Sequence, residues 1–145
     1  MCALVKAKAT SYKYEEIEVG KVSSFTRTIT REDVTAFALL TGDGNPLHID
    51  ENFGRKSKFK KNIVHGMLCA SLFSTLVGMH CPGEKCLYLG QTLQFRMPLF
   101  YGETIEVRGT VIEKFDAISM IKLKMEILRD KDIIVMGEAS VQVID

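Results

Sequence analysis

Hydrophobic spacing along the chain changes period twice, and each change marks a different kind of element. From Val22 to Ile29 the chain alternates, with Val22, Ser24, Thr26 and Thr28 opposite Ser23, Phe25, Arg27 and Ile29, which predicts a first strand. Thr30 then suits a helix N-cap, with Glu32 and Asp33 in the first turn, where negative charge meets the positive end of the helix dipole. Val34, Phe37, Ala38 and Leu40 are expected on one side of that helix, and Gly42 ends it. A second helix is expected from Gly66 to about Met79, apolar almost all round, so the rest of the protein must wrap it on most sides. After Gly83 the period returns to two. Cys86 to Met97 reads as one long strand, Pro98 and Gly102 mark a turn, and Glu103 to Lys114 reads as another strand. Ile118 to Leu128 and Ile133 to Val143 follow, separated by the turn RDKD. Short links between long strands imply an antiparallel meander buried on one face. The expected architecture is α+β, a curved antiparallel sheet around one central helix, with residues 1–145 as a single domain.

Composition narrows the function classes. At 46% hydrophobic and a net charge of +1, the 145 residues can build one core and are not those of a disordered chain. The near-neutral balance argues against a general nucleic-acid binder, which needs a surplus of cations. No apolar run approaches the ~18–20 residues of a membrane span. The N-terminal MCALVKAKATSYKYEE shows no targeting pattern, so the expected location is the cytoplasm, or the mitochondrial matrix if a leader has been removed. Cys2, Cys69, Cys81 and Cys86 form no CxxC pair, and a reduced intracellular protein is expected. Cys81 and Cys86 flank Pro82-Gly83 closely enough for a bridge to be weighed, while Cys69 fits a core position.

The chemistry concentrates between the two helices. Thr41 to Asp50, TGDGNPLHID, holds Asp43, Asn45 and His48 within six positions, with Gly42, Gly44 and Pro46 shaping the backbone. Such a segment can aim a carboxylate and an imidazole at one point, a pair suited to moving protons near neutral pH. The same residues also suit plain turns, with Asp43 and Asn45 bonding their own backbone. Further on, IVHGM puts His65 and Gly66 at the start of the second helix, where free amides carry the positive dipole end. The Gly66 amide can serve as an oxyanion donor, since no side chain blocks approach. His65 reads either as a second acid–base group or as a residue that caps or packs the helix entry. Ser74 reads either as a hydroxyl offered to the site or as a serine bonded to its own helix. His48, His65 and His80 are too sparsely supported by other ligands in the sequence to suggest a metal site. Arg55, Lys56, Lys58, Lys60 and Lys61 put five cations in seven positions just before the His-Gly pair. That run is either a solvated loop or a docking patch for an anionic group or an acidic partner.

TGDGNPLHID followed by IVHGM resembles the MaoC-like, or hydratase 2, family of (R)-specific enoyl-CoA hydratases and 3-hydroxyacyl thioester dehydratases. The similarity continues through CPGEKCLYLGQTLQF and MPLFYGETI, from about Glu16 onward. It implies the hot-dog fold, a homodimer, no cofactor, and reversible syn addition of water across a trans-2-enoyl thioester of coenzyme A or acyl carrier protein. Carried over, Asp43 is the catalytic aspartate that deprotonates water, and His48 the catalytic histidine that orients it and protonates C2. Asn45 is the loop asparagine, Gly66 the oxyanion amide and Ser74 an active-site serine of some members. Gly54 stands where alanine is common, a departure that touches no expected role. The same fold hosts thioesterases, which do not usually carry the D-x-N-P-x-H loop, and a non-catalytic acyl-binding dimer is the third reading.

Overall fold

The computed structural model describes residues 7–144. Thr30 caps α1 (Arg31–Thr41) as its sequence predicts: its Oγ1 accepts from the Asp33 amide, and the Asp33 carboxylate accepts from the Thr30 amide at 2.9 Å. Gly42 ends the helix in the left-handed region at φ +80°, a conformation that favours glycine. Val34 is buried beneath this helix, but Leu40 is 85% exposed. Six residues beyond Val34, at ~100° each, carry Leu40 off the buried face, which corrects the expected grouping.

The sheet comprises β1 (Val22–Thr28), β2 (Cys86–Gln91), β3 (Gln94–Phe95), β4 (Thr104–Phe115), β5 (Met120–Arg129) and β6 (Asp132–Val143). Their order is β1-β4-β5-β6-β2, all antiparallel, with β3 also paired to β6. Alternation decides the faces as expected. Ile105, Val107 and Val111 of β4 and Ile121, Leu123, Met125 and Ile127 of β5 are at most 1% exposed, while Ile112 points outward. That buried face packs on α4 (Gly66–Met79), through Cys69, Phe73, Leu76 and Val77. At Gly109 of β4 an added Cβ would lie 2.5 Å from Leu76, so glycine lets the helix seat against the strand.

One expectation changes here. The stretch Cys86 to Met97 is not one strand, and β2 crosses to pair with β6 instead of running on into a meander. Thr92 breaks it: its amide donates to the Glu138 carbonyl and its Oγ1 accepts from the Glu138 amide, both at 2.9 Å. Gly137 passes so close that a Cβ there would sit 1.8 Å from the Thr92 carbonyl oxygen. The central helix is wrapped on most sides, as expected, and one flank stays open. Met67, Ser71, Ser74 and Thr75, three or four residues apart, form an exposed flank. Cys69, Cys81 and Cys86 are free thiols, and Cys2 lies outside the described residues. Among the described residues no helix is long and apolar enough to cross a membrane.

Between α1 and α4 the chain forms two short helices that hydrophobic spacing does not reveal, α2 (Pro46–Ile49) and α3 (Glu51–Lys56). Each has its own cap. Asn45 Oδ1 accepts from the Leu47 amide at 3.0 Å, and Asp50 Oδ1 accepts from the amides of Asn52 and Phe53 at 2.8 and 3.0 Å. Buried Asn62 ties both to the body: its side-chain amide donates to the carbonyls of Pro46, Leu47 and Asp50. Gly54 packs directly on it, and a Cβ would come 2.7 Å from the Asn62 amide nitrogen. The glycine that sequence comparison leaves without consequence therefore has a packing role.

Candidate active site

Asp43 leaves α1 through the Gly42 turn, its amide donating to Thr41 Oγ1 at 3.2 Å and its Oδ1 accepting from the Asn45 amide at 3.3 Å. The turn reading and the chemical reading of this loop are thus compatible. One carboxylate oxygen braces the loop, while Oδ2 lies 3.8 Å from Nε2 of His65. His48, on α2, has its Nδ1 2.8 Å from the Ile63 carbonyl oxygen. A carbonyl can only accept, so Nδ1 carries the hydrogen and Nε2 keeps its lone pair free for proton exchange. His65 Nε2 lies 3.0 Å from the Asp43 carbonyl oxygen and donates to it by the same reasoning. The two imidazoles stack with centroids 3.9 Å apart and a tilt of 31°.

One oxygen of Asp43 and one nitrogen each of His48 and His65 lie within 4.8 Å of one another. Two of the three histidines thus have a carboxylate beside them, while His80 stands apart, stacked on Phe25 at 5.0 Å. Nε2 of His65 is committed to a carbonyl, and Nδ1 of His48 to another. The group is arranged for passing protons more than for enclosing a cation.

These side chains open onto a cavity of about 540 Å³ whose wall includes Gly66, Cys69, Phe95, Leu99 and Val135. The first amides of α4, beginning with Gly66, have no partner within the helix and carry its positive end. An added Cβ at Gly66 would meet the Phe95 ring at 2.8 Å, so the glycine lets that ring pack closely against the start of α4. Cys69 is 2% exposed, and burial pushes its thiol up to about 12.

The other expected site residues separate. Asn45 caps α2 and supports the loop. Ser74 lies on the exposed flank of α4 and does not line the cavity. Within the basic run, Lys58 reaches the cavity wall. Arg55 donates to Asn52 Oδ1 at 2.7 Å, Lys61 lies 4.1 Å above the Phe100 ring, and Lys56 and Lys60 are exposed. The residues sequence reasoning passes over are Phe95 and Arg96 of the cavity wall, the Ile63 carbonyl, and Asn62, which braces α2. None carries a local signal in the sequence, because each acts through partners distant along the chain.

Comparison with known proteins bears on the family and the fold. Residues 15–130 match the family described as MaoC like domain. The chain is 38% identical over 130 residues to the (R)-specific enoyl-CoA hydratase of Aeromonas caviae, covering 88% of this chain and 96% of that protein. It is 35% identical over 127 residues to the mitochondrial 3-hydroxyacyl-[acyl-carrier-protein] dehydratase FERN of Solanum lycopersicum, covering 86% and 76%. The solved R-hydratase PhaJ1 from Pseudomonas aeruginosa superposes with a TM-score of 0.90 at 32% identity, covering 94% of this chain and 88% of that one. The sheet wrapped on α4 is accordingly the hot-dog fold.

Proposed function

We infer the reaction from the premise that this chain belongs to the MaoC-like domain family. It is a hydro-lyase that interconverts trans-2-enoyl thioesters and (R)-3-hydroxyacyl thioesters. The observation that carries the assignment of roles is the convergence of Asp43, His48 and the first amide of α4 on one cavity. In hydration, Asp43 takes a proton from water as the oxygen attacks C3. The proton passes to the free Nε2 of His48, which delivers it to C2. One proton thus travels from water to C2 along a single wall of the cavity, and addition is syn. Negative charge gathers meanwhile on the thioester oxygen, where the Gly66 amide receives it; one such donor typically lowers a barrier by ~3–4 kcal/mol. No step in this route calls on a cofactor.

The substrate is an acyl thioester of coenzyme A or of acyl carrier protein, relatives of both kinds being similar to this chain. The basic run from Arg55 to Lys61 is the proposed docking patch, with Lys58 at the cavity. The proposed assembly is a two-fold homodimer in the cytoplasm, covering the α4 flank and the edge strand β2, whose Leu87 and Leu89 are half exposed. Ser74 belongs to that flank, so any role it has would be exercised at the subunit boundary. The deciding assay incubates the protein with crotonyl-CoA and follows both enoyl absorbance and free thiol. Loss of absorbance without thiol release supports the hydratase reading. Thiol release would make it a thioesterase, and neither signal would leave an acyl-binding module.

A further inference from the structure

We infer that His65 is a positioning residue that fixes the aspartate of the site through its backbone, an inference that rests on the proposed role of Asp43. The His65 ring is 98% buried, with Phe37 tilted against it at a centroid distance of 5.0 Å and His48 stacked on it at 3.9 Å. Packing alone would be served as well by a phenylalanine, which leaves no polar atom behind. The imidazole does leave one: its Nδ1 is the single buried side-chain nitrogen or oxygen without a partner among the described residues. An orphaned acceptor is costly in a core, and its retention argues that the other nitrogen does something packing does not.

That nitrogen, Nε2, donates to the carbonyl of Asp43 at 3.0 Å, joining the entry of α4 to a loop residue twenty-two positions earlier. Among the described residues the other hydrogen bonds of Asp43 itself are to its neighbours Thr41 and Asn45, so His65 supplies the long-range tie. The consequence is mutual. Through Nε2 it sets where the carboxylate stands relative to the helix amides, and through its face it sets the plane of His48. A shift of about 1 Å in such a pair can cost on the order of 10²-fold in rate.

Two variants separate the bond from the packing. His65→Phe keeps an aromatic ring between His48 and Phe37 and removes the donor. His65→Gln loses the ring but places an amide donor near the position of Nε2. On crotonyl-CoA we expect His65→Phe to lower kcat by about 10²-fold with KM little changed, and His65→Gln to recover to within about 5-fold of the parent. Wild-type kcat in His65→Phe, or an equal loss in both variants, would overturn the inference. Should His65→Phe fail to fold, His65→Asn replaces it, its shorter amide falling at the Nδ1 position. Asn impaired beside an active Gln then supports the tie, and equal activities refute it. Asp43→Asn is measured alongside. If it is inactive while His65→Phe is fully active, only the positioning role fails; if it stays active, the role of Asp43 fails and this inference with it.

Discussion

Cys69 brings a thiol to the wall of a cavity that, on the proposed function, receives an electrophilic enoyl group. A thiolate there would add to C3 in place of water. Burial prevents it: the neutral thiol is favoured up to about 12, three units above its ordinary value of 9.0. The sign follows from the direction of the shift. Keeping the thiol neutral stabilises the fold fully below about 9, and that contribution is lost as pH rises from there through about 12. Native protein held with excess crotonyl-CoA at pH 8 should therefore give a Cys69 peptide of unmodified mass, whereas the same peptide from denatured protein should alkylate readily. A thioether on native Cys69 would contradict the account. Asp43 gives the complementary test at this scale. Asp43→Asn is nearly isosteric and retains an oxygen for the Asn45 amide, so the fold should persist while the base is lost. The expected loss is ~10²–10⁴-fold, in kcat more than in KM, by steady-state kinetics.

At the scale of elements, the dyad is only as well placed as α2, which is a single turn and cannot hold itself. Asn62 holds it, with donors 2.9 Å from the carbonyls of Leu47 and Asp50 and 3.3 Å from that of Pro46. Asn62→Ala strands these carbonyls and should cost about 1–3 kcal/mol. For a domain of this size that is a fall of very roughly 2–12 °C in Tm, checked by calorimetry, and kcat should fall with it because His48 rides on α2. An unchanged Tm would mean α2 is anchored elsewhere. The same region shows what a sequence does and does not reveal. The α1 cap, the span of α4 and the buried faces of β4 and β5 were legible because each depends on residues a few positions apart. Asp43 and His48 could be singled out as candidates because their loop carries its own spacing. Hidden were the features that depend on distant partners: the break at Thr92, imposed by Gly137; the helices braced by Asn62; and the stacking of His48 on His65. The outward set of Ser74 was hidden for another reason, since small serines among apolar residues barely register as a polar stripe.

The whole molecule carries its charge unevenly, and this bears on how substrate arrives. The flank of α4 and the edge at β2 predict a dimer, and sedimentation at micromolar concentration should return twice the chain mass of 16.3 kDa; a monomer would count against it. Whatever the assembly, net charge is only +1, yet Arg55, Lys56, Lys58, Lys60 and Lys61 stand together, and among the described residues none has a carboxylate within 4.0 Å. The run forms a cationic patch, with Glu51 beside Arg55 and Lys61. If it draws in the phosphates of coenzyme A or an acidic carrier, its effect is on encounter and not on the proton transfers at Asp43 and His48. Replacing Lys58, Lys60 and Lys61 by glutamine should then raise KM for the full-length thioester by about 10-fold at low salt and leave kcat nearly unchanged. Screening must erase the difference, because the Debye length falls from ~10 Å at 0.1 M to ~3 Å at 1 M. The N-acetylcysteamine thioester, which lacks the phosphates, should respond neither to the substitutions nor to salt. Equal losses on both substrates would instead show that the run holds the loop between α3 and α4 in shape, where Lys60 already occupies the left-handed region at φ +62° and Lys61 covers the Phe100 ring.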